Sequence, residues 1–298
     1  MRYGISLITV LTSLTFTACA GDAPQNNACQ TAKKIGRFDP ASDLFLAQFD
    51  IKTDTDDLHS AAAVATFLAS PKFKCVNYRA VSGSYGTQGG AYVDPGTIFA
   101  DAFGGNWVNA HVDREAATQR LAKDVTKTLK AGGHVWIMEG GQSDVSAETL
   151  RNVLKDYPDA PLKTNVHLVQ HSDWNERVTS EGALSFVKTN TDYIKIPDGN
   201  VQGNGSPGFQ TEAKTVWPAL LADPNVGPIW TTAKRLALSN NGNGFDDVTI
   251  AAGGYNNKAI GAGGLDFSDT SEAMWIFGYE NLVDEAAFVK AFVTKAAE

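Results

Sequence analysis

From residue 43 onward the chain alternates short apolar runs with stretches of helical periodicity, and this alternation constrains the fold more than any other feature. Apolar runs at 44–50, 75–81, 134–138, 165–170 and 193–197 read as strands. Between the first two, an Ala-rich stretch at 58–68 reads as a helix. Between the second and third, Asp113 caps a helix in which Ala117, Leu121, Val125 and Leu129 recur every four residues, until Gly132-Gly133 stops it. Further helices are expected at 145–154, 180–187 and 283–295. Apolar strands separated by helices belong in a parallel sheet covered on both faces. The expected fold is therefore α/β: doubly wound, a mostly parallel sheet with helices on both faces.

In such folds ligands bind beyond the carboxyl ends of the strands. A polar cluster follows each expected strand here. Four acids follow the first, SGSYGTQGG the second, GGQSD the third, HSDWNE the fourth and DGNVQGNG the fifth. Five separate segments thus bring polar groups to one rim, which marks that rim as the site.

Composition narrows the partners. The chain has 298 residues, 43% hydrophobic and 19% charged, with a net charge of −8. No basic run occurs, and a phosphate backbone needs clustered Lys and Arg, so nucleic acid is not an expected partner. The N-terminus reads as an export signal: Arg2, an apolar stretch at 5–16, then small residues. Phe16-Thr17-Ala18-Cys19 resembles a bacterial lipobox, which makes Cys19 the lipidated residue; the alternative is cleavage after Ala20 within Ala18-Cys19-Ala20. The expected organisation is a signal peptide at 1–18, a lipidated tether at 19–40 and one domain at 41–298. The chain would then be exported and attached to the cell envelope by lipid alone, at the periplasm or outer membrane. Cys29 and Cys75 could form a disulfide in that compartment or stand as two unrelated residues. No feature sets the oligomeric state.

The stretch DIKTDTDD places Asp50, Asp54, Asp56 and Asp57 within eight residues where strand hands over to helix. A helix cap explains one or two acids there. Hard cations take clustered carboxylates, and calcium takes several. The EF-hand pattern does not fit, because no Gly or later Glu falls at its spacing. A D-x-D phosphatase through Asp54-Thr55-Asp56 is an alternative, although the strand ends earlier, near Asp50.

An acid pair closing such a turn, D-x-D-P-G-x-D-D, is similar to that of the nucleoside hydrolases. The chain resembles a divergent member of that superfamily, on its branch of exported bacterial proteins. VWIMEGGQSD, VHLVQHSDWNE, DYIKIPDGNVQGN and LDFSDTSEAMWIFG resemble later segments of the family, and the similarity covers roughly residues 44–280. Asp50 matches the first family acid. Lys52 occupies the position of the second, and Thr53-Asp54 replaces Pro-Gly. Either Asp54 supplies the missing ligand, or the Lys52 ammonium stands where the family has a cation.

The resemblance implies hydrolysis of an N-glycosidic (ribosyl) or related glycosidic bond through an oxocarbenium-like sugar. It implies Ca2+ held by Asp50, Asp57 and Asp269, with Asp54 as substitute, and Asp56 as general base. Its partner would be a small-molecule nucleoside or glycoside. The residues themselves add further candidates. His171 at a strand end is a candidate catalytic residue. Trp174, Asn175 and Glu176 form a rim where an aromatic ring can stack on a sugar or base. Asn200 and Asn204 could hold hydroxyls or simply form turns. Asp246-Asp247 reads as a solvated loop. The competing classes are a non-catalytic sugar- or nucleoside-binding lipoprotein and a metal-dependent phosphatase-type hydrolase.

Overall fold

A computed structural model of the protein describes residues 29–52, 54–242 and 256–293. The strands of the central sheet are β1 (Leu44–Phe49), β2 (Asn77–Ser82), β3 (Trp107–Asn109), β4 (Val135–Gly140), β5 (Val166–Gln170) and β6 (Asp192–Lys195). All are parallel, in the order β3-β2-β1-β4-β5-β6. A short antiparallel pair, β7 (Gln210–Thr211) and β8 (Leu265–Asp266), lies apart from this sheet. The helices are α1 (Asp57–Leu68), α2 (Gly96–Phe103), α3 (Arg114–Lys130), α4 (Asp144–Asp156), α5 (Leu162–Asn165), α6 (Asp173–Val178), α7 (Glu181–Asn190), α8 (Trp217–Ala222), α9 (Gly227–Asn240), α10 (Lys258–Gly261), α11 (Thr270–Ile276) and α12 (Glu285–Phe292).

The fold is the doubly wound α/β architecture. Because strand side chains alternate between faces, β1 feeds two cores. Phe45, Ala47 and Phe49 join α1, α2, α9 and α11 in one. Leu44 and Leu46 join α3, α4 and α7 in the other. This double burial is why β1 is apolar at every position but Gln48. The Ala-rich run of α1 has the same cause. Ala61, Ala62, Ala63 and Ala65 are all buried, since α1 lies between the sheet and α9 and only small side chains allow that approach.

The chain first winds outward from β1 to β3, then returns to lay β4 on the other side of β1. This reversal is the switch point at which doubly wound folds place a ligand crevice, at the carboxyl ends of β1 and β4.

Local signals placed β1, β2, β4, β5, β6, α1, α3, α4, α7 and α12 within a few residues. Asp113 caps α3 as expected, its side chain accepting from the Ala116 N–H at 2.9 Å. The sequence did not give bounds for α2, β3, α5, α6, β7, β8 or α8 to α11, most of which are short. Part of the expected tether belongs to the domain: Ile35 and Phe38 are buried and bridge each other, and Phe38 packs on Phe277. Two apolar residues in a polar segment carry no periodicity, so this contact was not legible. Cys29 and Cys75 are bridged, with Cα atoms 5.3 Å apart. The signal peptide, Cys19 and Asp246-Asp247 lie outside the described residues, as does the last part of the expected C-terminal helix.

Candidate functional site

The crevice between β1 and β4 is lined by aspartates. Asp50 follows β1 directly. Asp54, Asp56 and Asp57 occupy the turn into α1, with Asp57 as its first residue. Asp266 ends β8, and Asp269 stands at the N-terminus of α11. Ser60, one turn into α1, donates its hydroxyl to Asp269 Oδ2 at 3.1 Å, which places the late acid within one helical turn of Asp57. Ser60 and Asp269 are 209 residues apart in sequence, and the fold brings them together.

Backbone geometry holds the turn. Ile51 has φ +49°, a left-handed conformation that is an outlier for a β-branched residue and costs about 1–3 kcal/mol. Its N–H donates to Asp57 Oδ2 at 2.5 Å, and its side chain is fully buried; both hold the strained residue in place. The Gly140-Gly141 turn after β4 is explained by close approach. A Cβ on Gly140 would stand 2.8 Å from the Asp269 Cβ, and one on Gly141 3.1 Å from the Asp50 Cβ.

The acids differ in their partners. Asp50 accepts from the Lys52 N–H at 2.8 Å, Gln142 at 3.0 Å and Gln88 at 3.2 Å. Gln142 in turn donates to Asn175 at 2.9 Å, so Asn175 is a buried neighbour of the site. Asn257 bridges Asp56 at 3.4 Å and Asp266 at 2.7 Å. One oxygen on each of Asp54, Asp56 and Asp57 is buried without a hydrogen-bond partner.

Such an arrangement strongly disfavours charge. Burial, then Asp54, pushes Asp50 up to about 8. Burial also raises Asp54 and Asp266. Asp56 and Asp57 are pushed well above the usual carboxylate range, by burial first and then by their aspartate neighbours. Asp269 is raised by burial as well, partly offset by His171. The cluster holds its full charge only if a cation compensates it.

Two basic groups were candidates for that cation. The Lys52 ammonium lies 4.3 Å from the centre of the Tyr85 ring, and no ion pair among the described residues joins it to a carboxylate. It does not serve as the internal counter-charge that its sequence position offered. His171 is closer to that role. Its Nδ1 is 2.7 Å from Glu272 Oε1, and both side chains are buried. Burial lowers its pKa, but Glu272, Asp269 and Asp198 outweigh burial and bring it to about 9. These acid neighbours favour the charged form of the imidazole.

The remaining expected site residues divide. Asn200 accepts from Gln210 and from Ser268, each at 3.2 Å, and so borders the acids through Asp266 and Asp269. Asn204 is exposed and fastens its own loop, donating to the Asp198 carbonyl at 2.7 Å. Glu176 is held by Tyr193 at 2.7 Å and Lys188 at 3.1 Å, an outer tie rather than a lining group. Trp174 is half-buried on α6.

Asp266, Gln210 and Asn257 were missed. Asp266 lay in plain view, three residues ahead of Asp269; Gln210 on the two-residue β7 and Asn257 at the cap of α10 carry no local signature of a site. A small cleft lined by Thr66, Asp223 and Phe292 lies at the other end of α1, away from the acids.

Unpartnered, buried carboxylate oxygens are the donor set a hard divalent cation takes. As the side chains stand, no three His, Cys, Asp or Glu among the described residues converge on one point at liganding distance. The donors fit calcium by chemistry. No family model matches the chain. Neither a curated protein nor a solved structure shows significant similarity to it.

Proposed function

We propose that this chain is a hydrolase of N-glycosidic (ribosyl) or related glycosidic bonds that works with a divalent cation, calcium by preference. The observation that carries the reading is the convergence of Asp50, Asp54, Asp56, Asp57, Asp266 and Asp269 at the sheet's switch point, with buried oxygens left unpartnered. Asp50, Asp54, Asp57 and Asp269 would hold the cation, which supplies electrostatic grip on a sugar diol and acidifies water.

The chain's own groups supply the proton steps. Asp56 has one free carboxylate oxygen, while Asn257 orients the other. It takes a proton from the attacking water once the compensated cluster keeps it ionised. Nδ1 of His171 is committed to Glu272, whose charge favours the imidazolium, so Nε2 would be the atom left to donate to a departing base. Gln142, Gln88 and Asn175 hold Asp50 and keep the turn in register.

The test is a screen of the mature chain against nucleosides and glycosides, with calcium and with chelator. Calcium-dependent release of free base supports the reading, and release of phosphate from esters would support the phosphatase class instead. A second reading, a non-catalytic sugar- or nucleoside-binding lipoprotein, draws on Lys52 at a family acid position. Saturable nucleoside binding by calorimetry without any turnover would favour it.

A further inference from the structure

The end of the domain opposite the acids carries a group of exposed lysines. Residues 29–43 form a hook under the amino ends of the strands, and the Cys29–Cys75 bridge ties it to the segment entering β2. Lys33 and Lys34 on the hook, and Lys72 and Lys74 beside the bridge, are exposed. None of these four has a carboxylate partner among the described residues. The hook's acids point elsewhere: Asp43 is buried and accepts from the Trp136 indole and the His134 N–H, each at 3.0 Å. Asp39 accepts from the Ala41 N–H at 3.1 Å.

Half-buried aromatics sit among these cations. Arg37 stacks over Trp275 at 3.7 Å and pairs with Glu280. Lys72 lies over Tyr279 at 4.7 Å and donates to its hydroxyl at 2.7 Å. Exposed lysines interleaved with Trp and Tyr are the composition that suits a bilayer interface. A chain with net charge −8 has no general excess of cations to scatter, so their gathering on one face needs a reason.

We propose that this amino-end face lies against an anionic bilayer, the one to which the lipid anchor attaches the chain. Charge complementarity and tether length both support that occupant. The apolar segment at 5–16 and Cys19 precede the hook, and the ten peptide steps from Cys19 to Cys29 reach at most roughly 35 Å. The bridge fixes the point where that tether enters the domain, beside the four lysines. α1 runs from the acids to this end, so its 12 residues separate the two faces by about 18 Å. The acid site accordingly faces away from the membrane and takes substrate from solution. This inference shares the lipid anchor with the functional reading, but not the chemistry of the site.

The test uses the full mature chain with Cys19→Ser, so that no acyl chain contributes. Vesicles of phosphatidylcholine alone are compared with vesicles also containing phosphatidylglycerol, by co-sedimentation at low and high salt. Binding to the anionic vesicles alone, lost at high salt, is the expected result. Replacing Lys33, Lys34, Lys72 and Lys74 by Gln should weaken it about fivefold per lysine, several hundredfold together. Lys214→Gln with Lys258→Gln, exposed beside β7 and at the start of α10 toward the acids, should leave it unchanged. Equal binding to neutral vesicles, no binding to anionic ones, or an equal loss in the control pair would overturn the proposal. So would competition by excess inorganic phosphate, which would mark a discrete phosphate site. Free-base release measured on the same variants keeps the two readings separate, because turnover can survive loss of vesicle binding and the reverse.

Discussion

Ser60 Oγ donates to Asp269 Oδ2 at 3.1 Å and fastens the first turn of α1 to the start of α11. Both groups are buried, and the bond carries the late acid into the cluster built by the turn after β1. Removing the hydroxyl with Ser60→Ala should cost about 1–3 kcal/mol in a calcium-loaded protein, where Asp269 is ionised and would lose its donor. Asp269→Asn should act in opposite directions with and without metal. Without calcium it relieves repulsion and raises the melting temperature. With calcium it removes a ligand, so the stabilisation by mass action, about 2.7 kcal/mol at a hundredfold excess over Kd, should shrink. Thermal melts of both variants, with calcium and with chelator, check this; equal shifts under both conditions would contradict the cation site.

Asp56→Asn should separate binding from turnover. Asn257 still meets an amide at this position, and the proposed ligands are untouched. Calcium should therefore stabilise the variant as it does wild type. Turnover should fall by about 10²–10⁴-fold, the usual contribution of a positioned base. A calcium response lost together with activity would instead make Asp56 a ligand.

The fold was legible because its signals are local and repeated. Apolar strands, the Asp113 cap and the Gly132-Gly133 stop each act within one turn of chain. The acids of the first turn were legible for the same reason, and Asp269 through the resemblance. The rest of the site depends on tertiary contact. Lys52 reads as a counter-charge in sequence, yet its flexible stem carries the ammonium to Tyr85. Glu272 reads as an ordinary helix acid, yet α11 turns it onto His171. Ile35 and Phe38 look like tether until Phe277 is there to cover them.

Lys52→Met tests that reassignment. Were the ammonium compensating buried acids, its loss would leave them unpaired, at a cost of about 3–5 kcal/mol. Seated on Tyr85 it contributes about 0.5–1 kcal/mol. The variant should therefore lose less than about 1 kcal/mol in chelator, by urea denaturation. A loss several times larger would restore Lys52 as the internal cation.

The Cys29–Cys75 bridge joins residues 46 apart in sequence. A closed loop of that length stabilises by about 4 kcal/mol in the chain-entropy account, with measured bridges mostly at about 2–4 kcal/mol. Reduction, or Cys29→Ser with Cys75→Ser, should lower stability by that amount in denaturant. A two-state transition should remain, because Phe38 still packs on Phe277. No change on reduction would show that Phe38 alone secures the hook.

Glu139 gives the pH prediction. It is fully buried on β4 and accepts from Ser143 at 2.7 Å and Ser146 at 2.8 Å. Burial raises its pKa to about 8, despite these donors. A carboxyl whose folded pKa exceeds its unfolded value holds its proton more tightly in the native state. Between the ordinary glutamate pKa and about 8 the native state binds more protons, so stability falls as pH rises. The slope from this group approaches about 1.4 kcal/mol per pH unit in that window and vanishes on either side. Glu139→Gln keeps the size and the hydrogen-bonding capacity of the side chain and removes the titration. Its stability should match wild type near pH 5 and exceed it progressively toward pH 8. The cluster aspartates add slopes of the same sign without metal, so both proteins are compared in saturating calcium, which holds the cluster ionised. Urea titrations from pH 5 to 8 that give parallel curves for the two proteins would show that Glu139 is ionised throughout and that its serine donors outweigh burial.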